Sequence, residues 1–498
     1  MLLCIVASPI SCDATIVSQN ADFFLYFHRI FTLNGIPLLC YNGDRISRGT
    51  IDAAQKEKRG ALFYTGFLRR SLFPYKKYTD REKIMKNIRV GVFGVGRGMA
   101  LAKNFMLLNA EIVAICDNNE ARLEKAMKGL DANVAVYESF DEFIEHPMDA
   151  VIMANNFYQH APYAIKCFER NIHVFCECIA NGTMKEGVEL VRAFEKSKSI
   201  YMLAENYPQM IFNREIKRIA DSGKLGKILY AEGEYNHPVS PWDTEFTQTF
   251  KFYPKHWRHF LPSTYYITHS LGPVMNATGA TPKKVTAFAM YEPHEDNTPN
   301  ATHNADRAAN ITTFNDDGSV FRVTACSTYG GHHIAYRVCG TKGQIENMRG
   351  KGDTIMLRYN GWETPEGEKT QQEYRPAWND PDEALIEKSG HGGADFITAR
   401  IFVNCVKEGK QPPHPFDIYS ATAMSSVAIL AHRSVLDGGK VYDIPDFRKE
   451  EERRLYENDD LTPFFGANGE EPTLPCCSHS EYKPTEKQME LYLEELKK

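Results

Sequence analysis

The sequence has little of what marks membrane, nucleic-acid-binding or secreted proteins. No apolar run approaches the ~20 residues that a helix needs to span a bilayer, so we expect no membrane contact. The formal net charge is −6 and no basic stripe is present, which predicts no nucleic-acid partner. The 12 cysteines are scattered through ordinary core segments of a long chain. This usage indicates reduced thiols and a cytoplasmic protein rather than a disulfide framework.

The sequence also lacks a convincing set of metal ligands. Cys176 and Cys178 flank Glu177, but neighbours two apart across a strand end give no four-ligand cluster at zinc-site spacing. The "GHH" triplet at 331–333 and the Cys476-Cys477 pair have no companions at recognisable spacing. We therefore predict no metal site.

Residues 1–84 show no sustained periodicity and no basic lead-in to a secretory signal. Met85 then opens "MKNIRVGVFGVGRG", which is typical of the start of a nucleotide-binding protein. Our hypothesis is that residues 1–84 are a leader of doubtful status, arising from an over-extended start. N-terminal sequencing of the native protein that finds residues before Met85 would contradict it.

The rest of the chain changes its pattern once, near residue 207. Over 85–206, short apolar strands alternate with helices, which predicts a Rossmann domain with a doubly wound parallel sheet. Over 207–450, long strand-like segments follow one another, which predicts an α+β domain with a mainly antiparallel open sheet. Two helices near 394–437 are expected to pack back towards the first domain. Residues 451–498 form a charged tail that we expect to be peripheral.

A glycine-rich loop follows the first strand of this pattern and opens a helix. In "GVFGVGRGMALA", Gly94 permits a tight turn and Gly96 lets the backbone approach a pyrophosphate at the helix N-terminus. Gly98 stands one position before the third glycine of the usual pattern, where Met99 lies. Asp117 ends the second strand, where a carboxylate can bind both ribose hydroxyls and repel a 2′-phosphate. The order of these elements predicts NAD as the cofactor.

With residues 89–98, 117, 173–180 and 264–273, the chain resembles the Gfo/Idh/MocA family of NAD(P)-dependent oxidoreductases acting on sugars and cyclitols. The resemblance covers about residues 86–450. It implies that Glu177 contacts the nicotinamide ribose or orients the substrate. It also implies that the cofactor site includes Arg97, Asn155 and His160.

The chain departs from the family at the segment "CEC". The family usually has Glu-Lys-Pro there, so the proton-moving lysine is Cys178 and the proline is Ile179. Relatives that also lack the lysine include the NAD-dependent glycosidases that remove N-acetylgalactosamine. The chain is similar to that branch in "HSLGP", in Tyr266 three residues before His269, in "GHGGADF" (390–396), and in Tyr207.

The resemblance names the catalytic candidates. His269 is the best general base, because imidazole near its free pKa can accept a hydroxyl proton while hydride leaves the same carbon for NAD. Tyr266, Tyr207 and Glu177 are the other candidates, and Tyr266 at i−3 is expected to share a helical face with His269. The substrate candidates are Trp257 for stacking on a sugar, Arg258 for an anionic or amide substituent, and His391.

Three functions remain open from the sequence. The first is oxidation of a hydroxyl of a sugar or glycoside by an NAD-dependent dehydrogenase. The second is a redox-neutral glycosidase with tightly bound NAD, which oxidises C3, eliminates the aglycone, adds water and returns the hydride. The third is a sugar-responsive binding protein without turnover, supported only by loss of the lysine. A homo-oligomer formed through the C-terminal sheet is expected in each case.

Overall fold

The computed structural model of the chain describes residues 87–240, 242 and 255–497, together with the backbone of one short hairpin. The hairpin pairs strand β1, Cys40–Asn42, with strand β2, Arg45–Ser47. Apart from it, the leader predicted over residues 1–84 lies outside the described residues. The chain divides into two units, Met1–Ile84 and Met85–Lys498, and the second unit holds two sheets.

The first of these sheets is parallel throughout and confirms the predicted doubly wound arrangement. Its strands are Arg89–Phe93 (β3), Glu111–Cys116 (β4), Ala135–Tyr137 (β5), Ala150–Met153 (β6), His173–Cys176 (β7) and Tyr201–Leu203 (β8). The helices between them are Val95–Leu107 (α1), Glu120–Met127 (α2), Phe140–Phe143 (α3), His160–Glu169 (α4) and Met184–Glu195 (α5). The spatial order β5-β4-β3-β6-β7-β8 reverses between β3 and β6, which opens a crevice at their carboxyl ends.

The second sheet has nine strands and confirms the predicted, mainly antiparallel C-terminal sheet. Its strands are Ile228–Asn236 (β9), Pro282–Tyr291 (β10), Asp306–Asn315 (β11), Val320–Ser327 (β12), His333–Gly340 (β13), Gly343–Asn347 (β14), Ile355–Tyr359 (β15), Gln371–Tyr374 (β16) and Tyr442–Asp443 (β17). They lie in the order β16-β15-β14-β13-β9-β12-β11-β10-β17. Among the described strands of this sheet, β9 and β12 are the one pair that runs in parallel.

The described part of the chain after β8 also contains helices, some of which pack on the second sheet. They are Ile211–Asp221 (α6), Thr268–Thr278 (α7), Glu383–Ile386 (α8), Ala394–Glu408 (α9), Ile418–Leu436 (α10), Glu450–Arg453 (α11) and Glu486–Glu495 (α12). On α9, Phe402 packs against Phe105 of α1 and Phe175 of β7. The helix α6 ends at Asp221, and Gly223 shortly beyond it takes a left-handed φ of 73°, which is common after a helix end.

The expectation that the tail is peripheral is wrong at Phe464 and at a few other buried side chains, whereas most of residues 451–498 are exposed or half-buried. Phe464 is 1% exposed, its ring stacks on Tyr158 at a centroid distance of 4.5 Å, and it meets Tyr265 edge-on at 5.2 Å. Asp459 forms an ion pair with Arg433 of α10. Phe464 joins the main core cluster, and Tyr456 packs partly buried against it.

Among the described residues, no helix combines the length and the apolar character needed to cross a bilayer.

Phe464→Ala tests whether the tail contributes to stability. We expect the free energy of unfolding to fall by about 3–5 kcal/mol, the usual cost of removing a fully buried phenylalanine side chain. Denaturant unfolding followed by fluorescence measures it. Leu455→Ala in the same segment is the matched control: its side chain is 81% exposed, so we expect a change within about 0.5 kcal/mol. Equal effects of the two substitutions would contradict the packing described above.

Candidate active site

The loop between β3 and α1 has the three glycine roles that a dinucleotide site needs. Gly94 has φ 86°, and a Cβ there would lie 2.2 Å from the carbonyl oxygen of Ala154. A Cβ on Gly98 would lie 2.7 Å from Cγ1 of Val92, so this glycine lets α1 pack closely on β3. Gly96 has no heavy atom within 4 Å of its Cβ position, which leaves room for a pyrophosphate. Gly98 thus takes the packing role of the third glycine.

Three polar groups beside this loop fit the rest of a dinucleotide. The Asp117 carboxylate, just after β4, accepts the N–H of Val95 at 3.0 Å, which holds it against the glycine loop after β3. After β6, Oδ1 of Asn155 is buried and has no hydrogen-bond partner among the described residues. His160 is 1% exposed, and its Nδ1 lies 2.7 Å from the carbonyl oxygen of Ile179 while its buried Nε2 has no partner there. Such orphaned buried acceptors are what a bound cofactor can satisfy.

Arg97 connects the glycine loop to the end of β7 and to α9. Its Nε donates to Glu177 at 2.9 Å, and its Nη1 and Nη2 donate to Asp395 of α9 at 3.1 and 2.8 Å. Asp395 also accepts from Asn206 at 2.6 Å and contacts Nδ1 of His391 at 3.0 Å. Burial raises the pKa of Asp395, but His391 and Arg97 outweigh burial and hold that pKa below its usual value. Arg97 therefore lies between two carboxylates.

A second buried carboxylate lies beside the catalytic candidate of the sequence. Glu205 follows β8, is 0% exposed, and has both oxygens 2.9 Å from Nδ1 of His269. It also accepts the N–H of Tyr207 at 3.0 Å and the thiol of Cys178 at 3.3 Å. On α7, a Cβ at Gly272 would lie 2.8 Å from Cγ of Glu205, so this glycine makes room for the carboxylate. Cys178 of the segment "CEC" is thus linked to His269 through hydrogen bonds that both make to Glu205.

Three phenols surround the His269 imidazole. The Tyr207 ring stacks on it at a centroid distance of 4.1 Å, while Tyr235 of β9 and Tyr266 meet it edge-on at 5.1 and 5.2 Å. Tyr266 lies in the turn before α7, which begins at Thr268. The expectation that Tyr266 and His269 share a helical face is therefore wrong, although their rings are in contact. Burial raises the pKa of Tyr207 and Tyr266. Both phenols therefore remain protonated at neutral pH.

The substrate candidates lie at the border of this cluster. The Trp257 ring stacks on Phe157 at 5.1 Å, and Phe157 in turn stacks on Tyr266 at 6.0 Å. The Arg258 guanidinium lies 4.5 Å from the centre of the Trp257 ring. His391 lies 6.1 Å from Tyr207 between ring centroids. Trp257 is thus packed against Phe157 in a stack that continues to Tyr266.

The sequence analysis missed Glu205, Asp395 and Tyr235. Glu205 could have been found by the argument used for Glu177, because both carboxylates follow strands of the parallel sheet at its carboxyl edge. Asp395 lies inside the "GHGGADF" segment that was singled out for other reasons. No local pattern marks Tyr235, since only the packing of β9 against α7 brings its ring to His269.

A cavity of about 930 Å³ lies away from this cluster. It is bounded by α6, the loop after β16 and the segment before α10, and its lining includes Arg214, Trp378 and His414. None of the candidate site residues lines it. Its position therefore adds nothing to the site of Glu205 and His269.

Two family models match the chain. Residues 88–205 match the oxidoreductase family with an NAD-binding Rossmann fold, Gfo/Idh/MocA. Residues 216–453 match the C-terminal domain of glycosyl hydrolase 109. These matches confirm the resemblance expected from the motifs, and they confirm NAD as the cofactor of the first domain.

Relatives of known name extend over most of the chain. A glycosyl hydrolase family 109 protein of Stenotrophomonas maltophilia is 24% identical over 422 residues, covering 73% of this chain and 89% of the relative. An alpha-N-acetylgalactosaminidase of Shewanella oneidensis is 25% identical over 403 residues, covering 73% and 86%.

Solved structures share the fold. Levoglucosan dehydrogenase in complex with NADH and levoglucosan has a TM-score of 0.59 at 19% identity, covering 72% of this chain and 100% of that one. Aldose-aldose oxidoreductase from Caulobacter crescentus has a TM-score of 0.56 at 16% identity, with the same coverage.

The two loop glycines give a matched test of the cofactor site. Gly96→Ala adds a methyl group where the protein has no atom within 4 Å, so we expect unchanged stability but at least about tenfold weaker NAD binding. Gly98→Ala presses on Val92, so we expect the free energy of unfolding to fall by about 1–3 kcal/mol. NAD titration and denaturant unfolding measure the two effects. Wild-type NAD affinity in Gly96→Ala would overturn this placement of the pyrophosphate.

Proposed function

We propose that this member of the Gfo/Idh/MocA oxidoreductases, whose second domain is of the glycosyl hydrolase 109 type, hydrolyses a glycoside with the help of NAD. The observation that carries the proposal is the His269 imidazole, which is stacked on Tyr207 and bonded to Glu205. The neutral Cys178 in place of lysine is consistent with the same branch. Because one relative is named alpha-N-acetylgalactosaminidase, N-acetylgalactosaminides are the first substrates to test.

The residues present fit an NAD molecule along one edge of the first sheet. Gly94, Gly96 and Gly98 would hold the pyrophosphate, Asp117 the adenosine ribose, and Asn155 with His160 would face the nicotinamide half. NAD, when bound, takes a hydride from a sugar carbon and can return it, so hydrolysis leaves no net oxidation.

The chain's own groups divide the proton transfers. Nε2 of His269 makes no hydrogen bond among the described residues, whereas Nδ1 is bonded to Glu205, so Nε2 accepts the proton of the sugar hydroxyl. Tyr207 and Tyr266 hold their protons because burial raises their pKa, so one of them donates its proton to the departing oxygen, and the phenolate left behind takes up the proton lost from C2. Arg258 beside Trp257 suits the carbonyl of an acetamido substituent.

A second candidate function is net oxidation of a sugar hydroxyl. One observation favours it: a single proton acceptor is enough for a dehydrogenase, and the pair of His269 with Glu205 supplies one. The two functions need the same residues for the first step. They differ in whether the hydride leaves with the cofactor or returns to the sugar.

One assay separates the candidates. The purified protein is incubated with aryl glycosides, including aryl N-acetylgalactosaminides, and with free sugars, with and without added NAD. NADH absorbance and aglycone release are followed together. We expect aglycone without net NADH. Net NADH would establish the dehydrogenase instead, and silence across the panel with cofactor bound would favour the binding protein.

His269→Gln tests the assigned base. We expect the rate of either reaction to fall by about 10²–10⁴-fold, the usual contribution of a general base, with NAD binding unchanged. His146→Gln is the matched control, because His146 is a half-buried histidine whose Nδ1 bonds the hydroxyl of Tyr137 in the first domain. A His269→Gln enzyme as active as the control would remove His269 from the chemistry.

Two finer proposals concern the setting of the enzyme. We place it in a reducing compartment, the cytoplasm, supported by the nine free cysteines among the described residues. We also propose that the outer face of the second sheet pairs two copies of the chain. On that face Glu232 pairs with Arg322 and Arg337 from neighbouring strands, and Phe314 is 49% exposed. A self-complementary patch of this kind suits a two-fold interface.

Phe314→Asp tests the paired sheets. We expect the mass measured by sedimentation at micromolar concentration to change from that of a dimer to that of a monomer, because a carboxylate would be buried in the interface. Leu455→Asp, at a side chain 81% exposed outside this sheet, serves as the control and should leave the dimer intact. A wild-type protein that sediments as a monomer would contradict the proposal.

A further inference from the structure

Glu205 is the most completely buried charged group of the site, and its contacts centre on His269. Its side chain is 0% exposed, and it contacts His269 with both oxygens at 2.9 Å. Burial raises its pKa, but the charge and hydrogen bond of His269, with the hydrogen bonds of Thr268 and Tyr207, outweigh burial and lower that pKa. The group is therefore an ionised carboxylate, which can only accept hydrogen bonds.

An acceptor on one ring nitrogen decides the tautomer of a neutral imidazole. Because Glu205 accepts from Nδ1 of His269, the ring proton lies on Nδ1 and the lone pair lies on Nε2. The stacked ring of Tyr207 holds the imidazole plane from one side. His269 is thereby prepared to take a proton at Nε2 without first moving one.

The other groups that face His269 do not change the position of its ring proton. Tyr207, Tyr235 and Tyr266 present phenols that stay neutral because burial raises the pKa of each. Arg258 faces Tyr266, and its charge favours the ionised form of that phenol without reversing the effect of burial. Among the described residues, Glu205 is thus the carboxylate that bonds the imidazole.

Cys178 is another neighbour of Glu205, and the charge of its thiol affects how Glu205 interacts with His269. Burial and then the charge of Glu205 raise the pKa of the Cys178 thiol well above its ordinary value, so the thiol is uncharged. It donates to Oε2 of Glu205 at 3.3 Å. A lysine at this position would bring an ammonium group within reach of the same carboxylate. Glu205 would then be shared between a full positive charge and His269.

We infer that Glu205 is a positioning residue that fixes the tautomer and orientation of His269, and that the neutral Cys178 leaves this carboxylate to the histidine. The role deepens the proposed function and rests on it, because it assumes that His269 is the base. The pairing itself is a property of the protein before any substrate binds. It can therefore be tested apart from turnover.

The first measurement reads the tautomer directly. In protein labelled with ¹³C-histidine, the ring ¹³Cδ2 shift distinguishes the Nδ1–H from the Nε2–H form, and His269→Gln identifies the signal. We expect Nδ1–H in the wild type, its loss in Glu205→Gln, whose amide can donate to Nδ1, and a reduced Nδ1–H fraction in Cys178→Lys. Cys178→Ser keeps a donor of similar size and should keep the wild-type signal. An unchanged signal in Glu205→Gln would overturn the inference.

The second measurement uses the substrate found in the assay above. We expect Glu205→Gln to lower kcat about 100-fold with KM nearly unchanged, because Glu205 acts through His269 and not on the sugar. The acid limb of the kcat/KM profile should shift to lower pH, since the imidazolium loses its carboxylate partner. Cys178→Lys should shift the limb in the same direction.

Glu215→Gln is the matched control for loss of a buried carboxylate. Glu215 on α6 is 9% exposed and bonds Arg218 and Tyr374, away from His269. Its substitution should change neither the tautomer signal nor the acid limb of the profile. If Glu215→Gln shifts them as Glu205→Gln does, the effect of Glu205→Gln is one of general destabilisation, and the inference fails. If no glycoside or sugar is turned over, the proposed function fails, and the tautomer measurement still decides this inference.

Discussion

Parallel strands place their carboxyl ends at one edge of a sheet, and the whole candidate site depends on that constraint. Each strand of the first sheet that reaches the crevice ends in a loop carrying one part of the site. These parts are the Gly94–Gly98 loop after β3, Asp117 after β4, Asn155 after β6, Glu177 and Cys178 after β7, and Glu205 after β8. The helices α7 and α9, which follow later in the chain, then bring His269 and Asp395 to the same edge.

Buried charge is the second constraint, because a carboxylate withdrawn from water is tolerated only with donors around it. Asp395 meets this need through Arg97, Asn206 and His391. Glu205 meets it through His269, the Tyr207 N–H and the Cys178 thiol. These bonds cross between the two sheets' helices and loops, so the geometry of the base is determined by the same contacts that join the halves of the unit.

Much of the fold and part of the site could be predicted from the sequence. Local periodicity of 2 and 3.6 residues was enough for the strands and helices, and glycine spacing was enough for the loop at Gly94 and Gly96. It was not enough to assign Gly98, whose packing against Val92 depends on the angle between α1 and β3. It also failed for the tail, because the short apolar stretch at Phe464 follows a highly charged segment and shows no periodicity, and only its partners Tyr158 and Tyr265 explain its burial.

The sequence by itself indicated the succession of strands and helices along the chain, the glycine loop and Asp117 as a candidate ribose carboxylate, because these follow from local spacing, and it indicated His269 as the candidate base through the family resemblance. Only the tertiary structure decided which carboxylate serves that base. Glu177 is the acid that the sequence singled out, yet it pairs with Arg97, while Glu205 reaches His269 across 64 residues of chain. The physical reason is that a hydrogen bond depends on the packing of two elements to within a few tenths of an ångström, and no local pattern carries that information.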